Sequence, residues 1–171
     1  MKRGAPGSDD ADDAFDALFR REFAAITRTA YLIVGDWEVA REITQDAFVQ
    51  VLKHWKKVRA MDSPGGWARR VAIRDAVRAK RRDARGAALA VAGAHERAEV
   101  AEPLTLDVRD ALLTLPVRQR AAIALYYLDD LPVADIAGLL DCSEGAVKTH
   151  LSRGRHALAV ALGEEAIGEP R

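Results

Sequence analysis

The stretch from Leu131 to Leu158, LPVADIAGLLDCSEGAVKTHLSRGRHAL, constrains this chain more tightly than any other part of it. Ile136, Ala137 and Leu140 recur at helical spacing, which predicts a short helix from Val133 to Leu140. Asp141-Cys142-Ser143 then makes a tight turn. Ser143 offers an N-cap hydroxyl to a second helix that keeps Val147, Leu151 and Leu158 on one face. The pattern is that of a helix-turn-helix. The outer face of the second helix carries Lys148, Thr149, Ser152 and Arg153, with Arg155 near its edge. Such side chains bond base edges and phosphates when a helix lies in a major groove. A helical hairpin that only packs has no need of a basic, hydroxyl-rich outer face, so this segment is expected to bind duplex DNA.

A formal net charge of zero over 171 residues hides opposed blocks. Asp9, Asp10, Asp12, Asp13 and Asp16 make the start acidic, and Glu164, Glu165 and Glu169 do the same for the end. Between Lys53 and Arg85, twelve Lys or Arg stand against Asp62, Asp75 and Asp83, a local excess that a phosphate backbone would feel. The one cysteine, Cys142, excludes an internal disulfide and suits a reducing cytosol. No apolar run approaches a membrane span, and the acidic start does not read as a signal peptide, so a cytoplasmic protein without membrane insertion is expected.

The predicted organisation is all-α: two small helical domains joined by a flexible linker, the C-terminal one containing the helix-turn-helix. Residues 1–13 read as a disordered acidic leader. Residues 14–82 are helical in pattern: Phe15, Leu18, Phe19, Phe23 and Ile26 form a stripe continuing to Leu32 and Val34, and Gly35-Asp36 breaks it. A second helix is predicted from Trp37 to Trp55, a loop at Asp62-Ser63-Pro64-Gly65-Gly66, and a third helix from Trp67 to Arg82 with Trp67, Val71 and Val77 inward. Residues 83–104 show no sustained apolar stripe and read as the linker. The second domain, 105–162, opens with Leu106 to Leu115, continues with Pro116 at a first helical position and Val117 to Leu128, and ends in the helix-turn-helix. Residues 163–171 form a tail.

Two further faces have no packing role. On the second helix, Glu42, Gln45, Asp46, Val49, Gln50 and Lys53 form a mixed face that is either solvated or an interface. The third helix bears Arg69, Arg70, Arg74, Arg78, Lys80, Arg81 and Arg82 against a single Asp, with Trp67 at its start as either a core anchor or a stacking platform. Proteins that hold unpaired bases combine such a positive track with aromatic platforms or pockets. His54, His95, His150 and His156 are scattered, with no metal-ligand spacing, phosphate loop or nucleophile–base constellation. Neither enzymatic chemistry nor a cofactor or metal is expected.

In order and spacing these parts resemble a bacterial RNA polymerase sigma factor of the extracytoplasmic-function group. AREITQDAFVQVLKHW (40–55) resembles the segment that grips the polymerase clamp helices, and SPGGWARRVAIRDAVRAKRR (63–82) the segment that opens and reads the −10 element. The run from Leu112 to Leu158 resembles the −35-reading domain, through Leu115, Pro116 and Arg120 and the Gly145–Thr149 motif. The resemblance covers residues 14–82 and 105–162. It implies partners in core RNA polymerase (clamp helices and flap), promoter DNA and an anti-sigma factor.

Residue by residue, the resemblance gives Glu42, Gln45, Asp46, Val49, Gln50 and Lys53 to the polymerase clamp. It gives Ser143, Glu144, Gly145, Ala146, Lys148, Thr149, Ser152 and Arg153 to the −35 surface. Asp62, Ser63, Gly65, Gly66, Trp67, Arg69, Arg70, Arg74, Arg78 and Arg81 fall to the −10 strand, the loop residues lying near its flipped-out base. Arg74 stands where many relatives have an Asn that helps hold that base, Arg41-Glu42 replaces a common acidic pair, and Ser152 a commonly bulkier side chain. The two promoter elements lie more than one helical turn apart, each turn being about 34 Å. A tether of roughly twenty residues reaches about 65–70 Å extended but only about 30 Å as a helix, so irregular chain is expected there in the working complex. Two other readings stay open. A dimeric helix-turn-helix regulator would leave the second and third helices without a role, and a sigma-like adaptor would bind polymerase without DNA.

Overall fold

The computed structural model describes residues 9–86 and 106–163, and every regular element among them is an α-helix. The first, α1 (Asp9–Val34), begins inside the segment expected to be a disordered leader. Asp12 and Asp13 lie near the positive end of the helix macrodipole, where acidic residues are stabilising. Gly35 ends the helix at φ 83°, a left-handed conformation glycine adopts without strain, and its N–H donates to the Tyr31 carbonyl at 2.7 Å. Asp36 caps α2 (Trp37–Lys53) by accepting from the Val39 N–H at 3.0 Å.

α2 stops short of the predicted Trp55. His54 interrupts it, and a single further turn, α3 (Trp55–Val58), follows. The break lets the Trp55 ring meet Phe15 edge-on, with centroids 5.5 Å apart. The Pro-Gly-Gly segment is also not a loop. It is the first turn of α4 (Pro64–Gly86), with Ser63 Oγ accepting from the Gly66 N–H at 3.0 Å. Proline fits there because a donor in the first turn has no intrahelical acceptor to lose. α4 also takes in residues 83–86, the beginning of the predicted linker. The rest of that linker, the start of the leader and residues 164–171 of the tail lie outside the described residues.

The C-terminal helices are α5 (Leu106–Thr114), α6 (Val117–Tyr127), α7 (Val133–Leu140) and α8 (Glu144–Ala161). Pro116 occupies the cap of α6 rather than its first helical position. Asp141 ends α7 at φ 53°, the Cys142 N–H returns to the Ala137 carbonyl at 3.1 Å, and Ser143 Oγ caps α8 by accepting from the Ala146 N–H at 3.2 Å. The helix-turn-helix thus forms where the sequence pattern puts it. Beneath it, Arg120 is 3% exposed; its Nη1 donates to the Leu113 carbonyl at 3.0 Å while its Nε has no hydrogen-bond partner. Burial pushes its pKa down to about 10, which leaves it charged at neutral pH.

Two apolar clusters hold the fold. One lies within the first half: Leu18, Ile26, Phe48, Val51 and Val58, ringed by Phe15, Phe19, Phe23 and Trp55. The other crosses between the halves. Tyr31, Leu32, Ile33, Val34, Ile73 and Val77 share it with Leu112, Leu115, Ile123, Leu125, Ile136, Leu140, Val147 and Leu151. Ala30 to Val34 are five successive residues, none more than 4% exposed. At about 100° per residue they face every direction, so the end of α1 is enclosed on all sides. α2 and α4 cover one flank, α5 and α6 the other. The two halves therefore form a joint core. Each fully buried Leu or Ile contributes about 1.5–3 kcal/mol, against about 0–1 kcal/mol for an exposed ion pair, so the seam is held chiefly by apolar burial.

Candidate nucleic-acid interface

α8 presents the clearest surface. Val147 and Leu151 point into the core, and Gly154 lies against α6. That orientation leaves Ser143, Glu144, Gly145, Lys148, Thr149, Ser152 and Arg153 exposed and Ala146 half-buried. Lys148 and Arg153 form no ion pair among the described residues, so both cations are free to meet phosphate. The Thr149 hydroxyl donates to the Gly145 carbonyl at 2.9 Å, which leaves the oxygen able to accept. Behind it, partial burial followed by the charges of Arg118 and Arg153 lowers the pKa of His150, which is neutral at neutral pH.

On α4, Arg70, Arg74, Arg78 and Arg81 recur at helical spacing and are all exposed, forming one basic stripe. Arg78 lies 3.6 Å from Asp75 in an exposed pair. Arg69 turns the other way and is half-buried. Its Nη2 is 3.9 Å from Glu22 Oε2 and its Nε is 3.9 Å from Asp129 Oδ2, yet that Nε has no hydrogen-bond partner. Trp67 is half-buried against the first apolar cluster, its ring 6.1 Å from that of His54. The core-anchor role holds for this side chain.

Asp62, Ser63, Gly65, Gly66, Trp67, Arg69 and Arg70 all line one cleft of about 640 Å³, together with Pro64, Met61, Arg21 and Glu22. Its far wall comes from the other half of the chain: Leu131, Asp135 and Leu139. Seven of the ten residues expected at the −10 strand are thus gathered in one place, while Arg74, Arg78 and Arg81 continue along α4 beyond it. On α2, Glu42, Gln45, Asp46, Val49 and Lys53 are exposed and Gln50 is half-buried. This face also shows Leu52, 53% exposed, one helical turn from Val49 at 46%. Sequence patterning passed over Leu52, although an apolar residue at i+3 from Val49 on an otherwise polar face was its signal. Thr29 and Asp129, which meet across the halves, had no local signal at all. Among the described residues no cluster of His, Cys, Asp or Glu could hold a metal ion, and no helix is long and apolar enough to cross a membrane.

Comparison with known proteins gives a consistent family. The model of Sigma-70 region 2 matches residues 18–86, and that of Sigma-70, region 4 matches residues 105–158. The chain is 32% identical over 156 residues to the ECF RNA polymerase sigma factor SigM of Mycobacterium tuberculosis, spanning 88% of this chain and 78% of that one. It is 28% identical over 168 residues to the ECF RNA polymerase sigma factor SigW of Bacillus subtilis, spanning 88% and 89%. In fold it is similar to the sigma factor RpoE of Bartonella quintana, solved in complex with the anti-sigma factor NepR. That likeness has a TM-score of 0.72 at 19% identity and covers 90% of this chain and 99% of that one.

Proposed function

This chain belongs to the extracytoplasmic-function group of RNA polymerase sigma factors and directs the polymerase to promoters, and we propose that three separate surfaces divide that task. α8 enters the −35 major groove with Ser143, Glu144, Gly145, Ala146, Lys148, Thr149, Ser152 and Arg153. The start of α4, from Asp62 to Arg70, and the stripe of Arg74, Arg78 and Arg81 take the −10 non-template strand. The α2 face, Glu42 to Lys53, docks on the polymerase clamp. The single observation that carries the proposal is the outer face of α8: unpaired cations and hydroxyls on a capped helix whose opposite side is fixed in the core.

The mechanism is binding energy applied to melting. Extracting and holding a base costs a few kcal/mol, which pocket contacts and backbone charge on α4 offset once the polymerase holds the complex. Nucleotide transfer is the polymerase's chemistry, and the chain acts as a non-enzymatic initiation factor in the cytoplasm. Restraint by an anti-sigma partner fits the same reading. Run-off transcription tests it, with purified core polymerase and a pool of promoter fragments from the source genome, with and without the protein. Discrete transcripts that require the protein are expected. Polymerase binding without transcripts would turn the assignment towards an adaptor.

A further inference from the structure

Arg118 is the second residue of α6, outside the helix-turn-helix, yet its side chain reaches across to it. Its Nη1 donates to the carbonyl of Leu140, the last residue of α7, at 3.3 Å. Its charge also acts on His150, on the flank of α8, as does the charge of Arg153 one turn further along that helix. Arg118 and His150 are half-buried, and Arg153 is exposed. Folding alone gives this group little reason to exist. A cation in the first turn of α6 lies at the positive end of the helix macrodipole, with no acidic residue there to offset it. Among the described residues no carboxylate comes within ion-pair distance of Arg118 or Arg153, although Asp141 and Glu144 flank the turn between α7 and α8. The Leu140 carbonyl takes one guanidinium donor and leaves the rest of the fork without a protein partner. Burial, then Arg118, then Arg153 hold the pKa of His150 below its ordinary value, so the local field is positive and unneutralised.

From this geometry we infer that Arg118, His150 and Arg153 form a cradle for one backbone phosphate of the −35 duplex, so that α6 adds a DNA contact the helix-turn-helix does not supply by itself. The inference rests on the reading of α8 as the −35 helix made above. A guanidinium fork matches two phosphate oxygens at once, and a neutral imidazole still has one ring N–H to donate. A phosphate set among these groups would also relieve the repulsion between the two arginines. The bond to the Leu140 carbonyl aims the Arg118 fork before DNA arrives, so less side-chain freedom is lost on binding than by an untethered cation such as Lys148. A phosphate contact carries no sequence information. The cradle therefore fixes how α8 sits in the groove rather than which bases it prefers.

The test uses holoenzyme assembled from core polymerase and the full chain, on a duplex that carries the −35 element of a promoter it transcribes and ends before −10. Affinity is measured across about 50–200 mM salt. Arg118→Met keeps an aliphatic side chain and removes the charge. It is expected to bind roughly five- to tenfold more weakly, with the slope of log affinity against log salt smaller by about 1. Scrambling the −35 bases should cost this variant and the wild type the same factor. Arg118→Lys keeps the charge without the fork, so it should retain the slope and lose only about twofold in affinity. If Arg118→Met loses its cooperative melting, Arg118→Gln is read by the same slope. Weakening with an unchanged slope would show that Arg118 serves only to hold α7, and it overturns the cradle. So does a slope lost equally in Arg118→Lys, or no weakening at all. In each case a loss of affinity in Lys148→Ala leaves the assignment of α8 standing. If Lys148→Ala is also without effect, that assignment falls too.

Discussion

Gly154 of α8 lies directly against Ile123 of α6: a Cβ at residue 154 would stand 2.8 Å from Ile123 Cγ1 and 3.5 Å from Leu115 Cδ2. α8 is seated on this approach. Alanine recovers about 0.5–1 kcal/mol of helix propensity, but overpacking a filled core costs about 1–3 kcal/mol, and Cγ1 is not a free side-chain end. The clash wins. Gly154→Ala is expected to lower the thermal midpoint by about 2–4 °C for each kcal/mol of destabilisation. It should also weaken −35 duplex binding, although none of the α8 side chains proposed to face DNA is altered.

Lys148→Ala combined with Arg153→Ala removes two exposed cations and no packing. Duplex affinity for a −35 fragment should fall, and the slope of log affinity against log salt should shrink by about 1 for each phosphate no longer neutralised. Co-purification with core polymerase should be unchanged. Loss of that co-purification would show that the roles of α8 and α2 have been assigned wrongly.

Leu52 and Val49 form an apolar pair on a polar face, the kind of patch that marks a protein contact. Leu52→Asp alters a half-exposed position, so folding stability should stay within the small range usual for surface changes, about ±0.5 kcal/mol. Polymerase capture should drop about tenfold, as read by a pull-down against the purified core enzyme.

Asp129 gives a pH dependence with a definite sign. Its folded-state pKa is raised above the ordinary 3.8, first by burial. The stability it contributes is therefore present below that ordinary value and is lost as pH rises through the raised one. At neutral pH its charge is a cost to the folded chain. Asp129→Asn keeps an acceptor for the Thr29 hydroxyl and discards that charge. Its thermal midpoint is expected to equal or exceed the wild type's at pH 7, with the difference closing near pH 4. A midpoint clearly lower at pH 7 would mean that the attraction of Arg69 outweighs desolvation.

What was legible in the sequence was local. The turn at Asp141-Cys142-Ser143, the Ser143 cap and the inward set of Val147 and Leu151 follow from spacing within a few residues, and the fold bears them out. Boundaries failed where a capping bond decided them: Ser63 converts Pro64-Gly65-Gly66 from loop to helix, although glycine and proline read as punctuation. Asp12 and Asp13 looked like part of a solvated leader because their favourable position depends on a helix that starts before them. The meeting of Thr29 with Asp129, one hundred residues apart, has no local trace. The seam itself did leave one. Five successive apolar residues at Ala30–Val34 exceed what a single amphipathic stripe needs, and a helix apolar all round implies a second flank.

The enclosed end of α1 bears on how such a chain can be recombined. Ile33 and its neighbours were shaped against Leu112, Ile123 and Leu125 of this same polypeptide. A chimera that joins α1–α4 to the promoter-reading helices of a relative inherits only one side of that fit. Grafts that transfer the matching residues of α5 and α6 with the seam should fold as well as either parent. Grafts cut at the linker alone should pay in cohesion, however well each half reads its DNA.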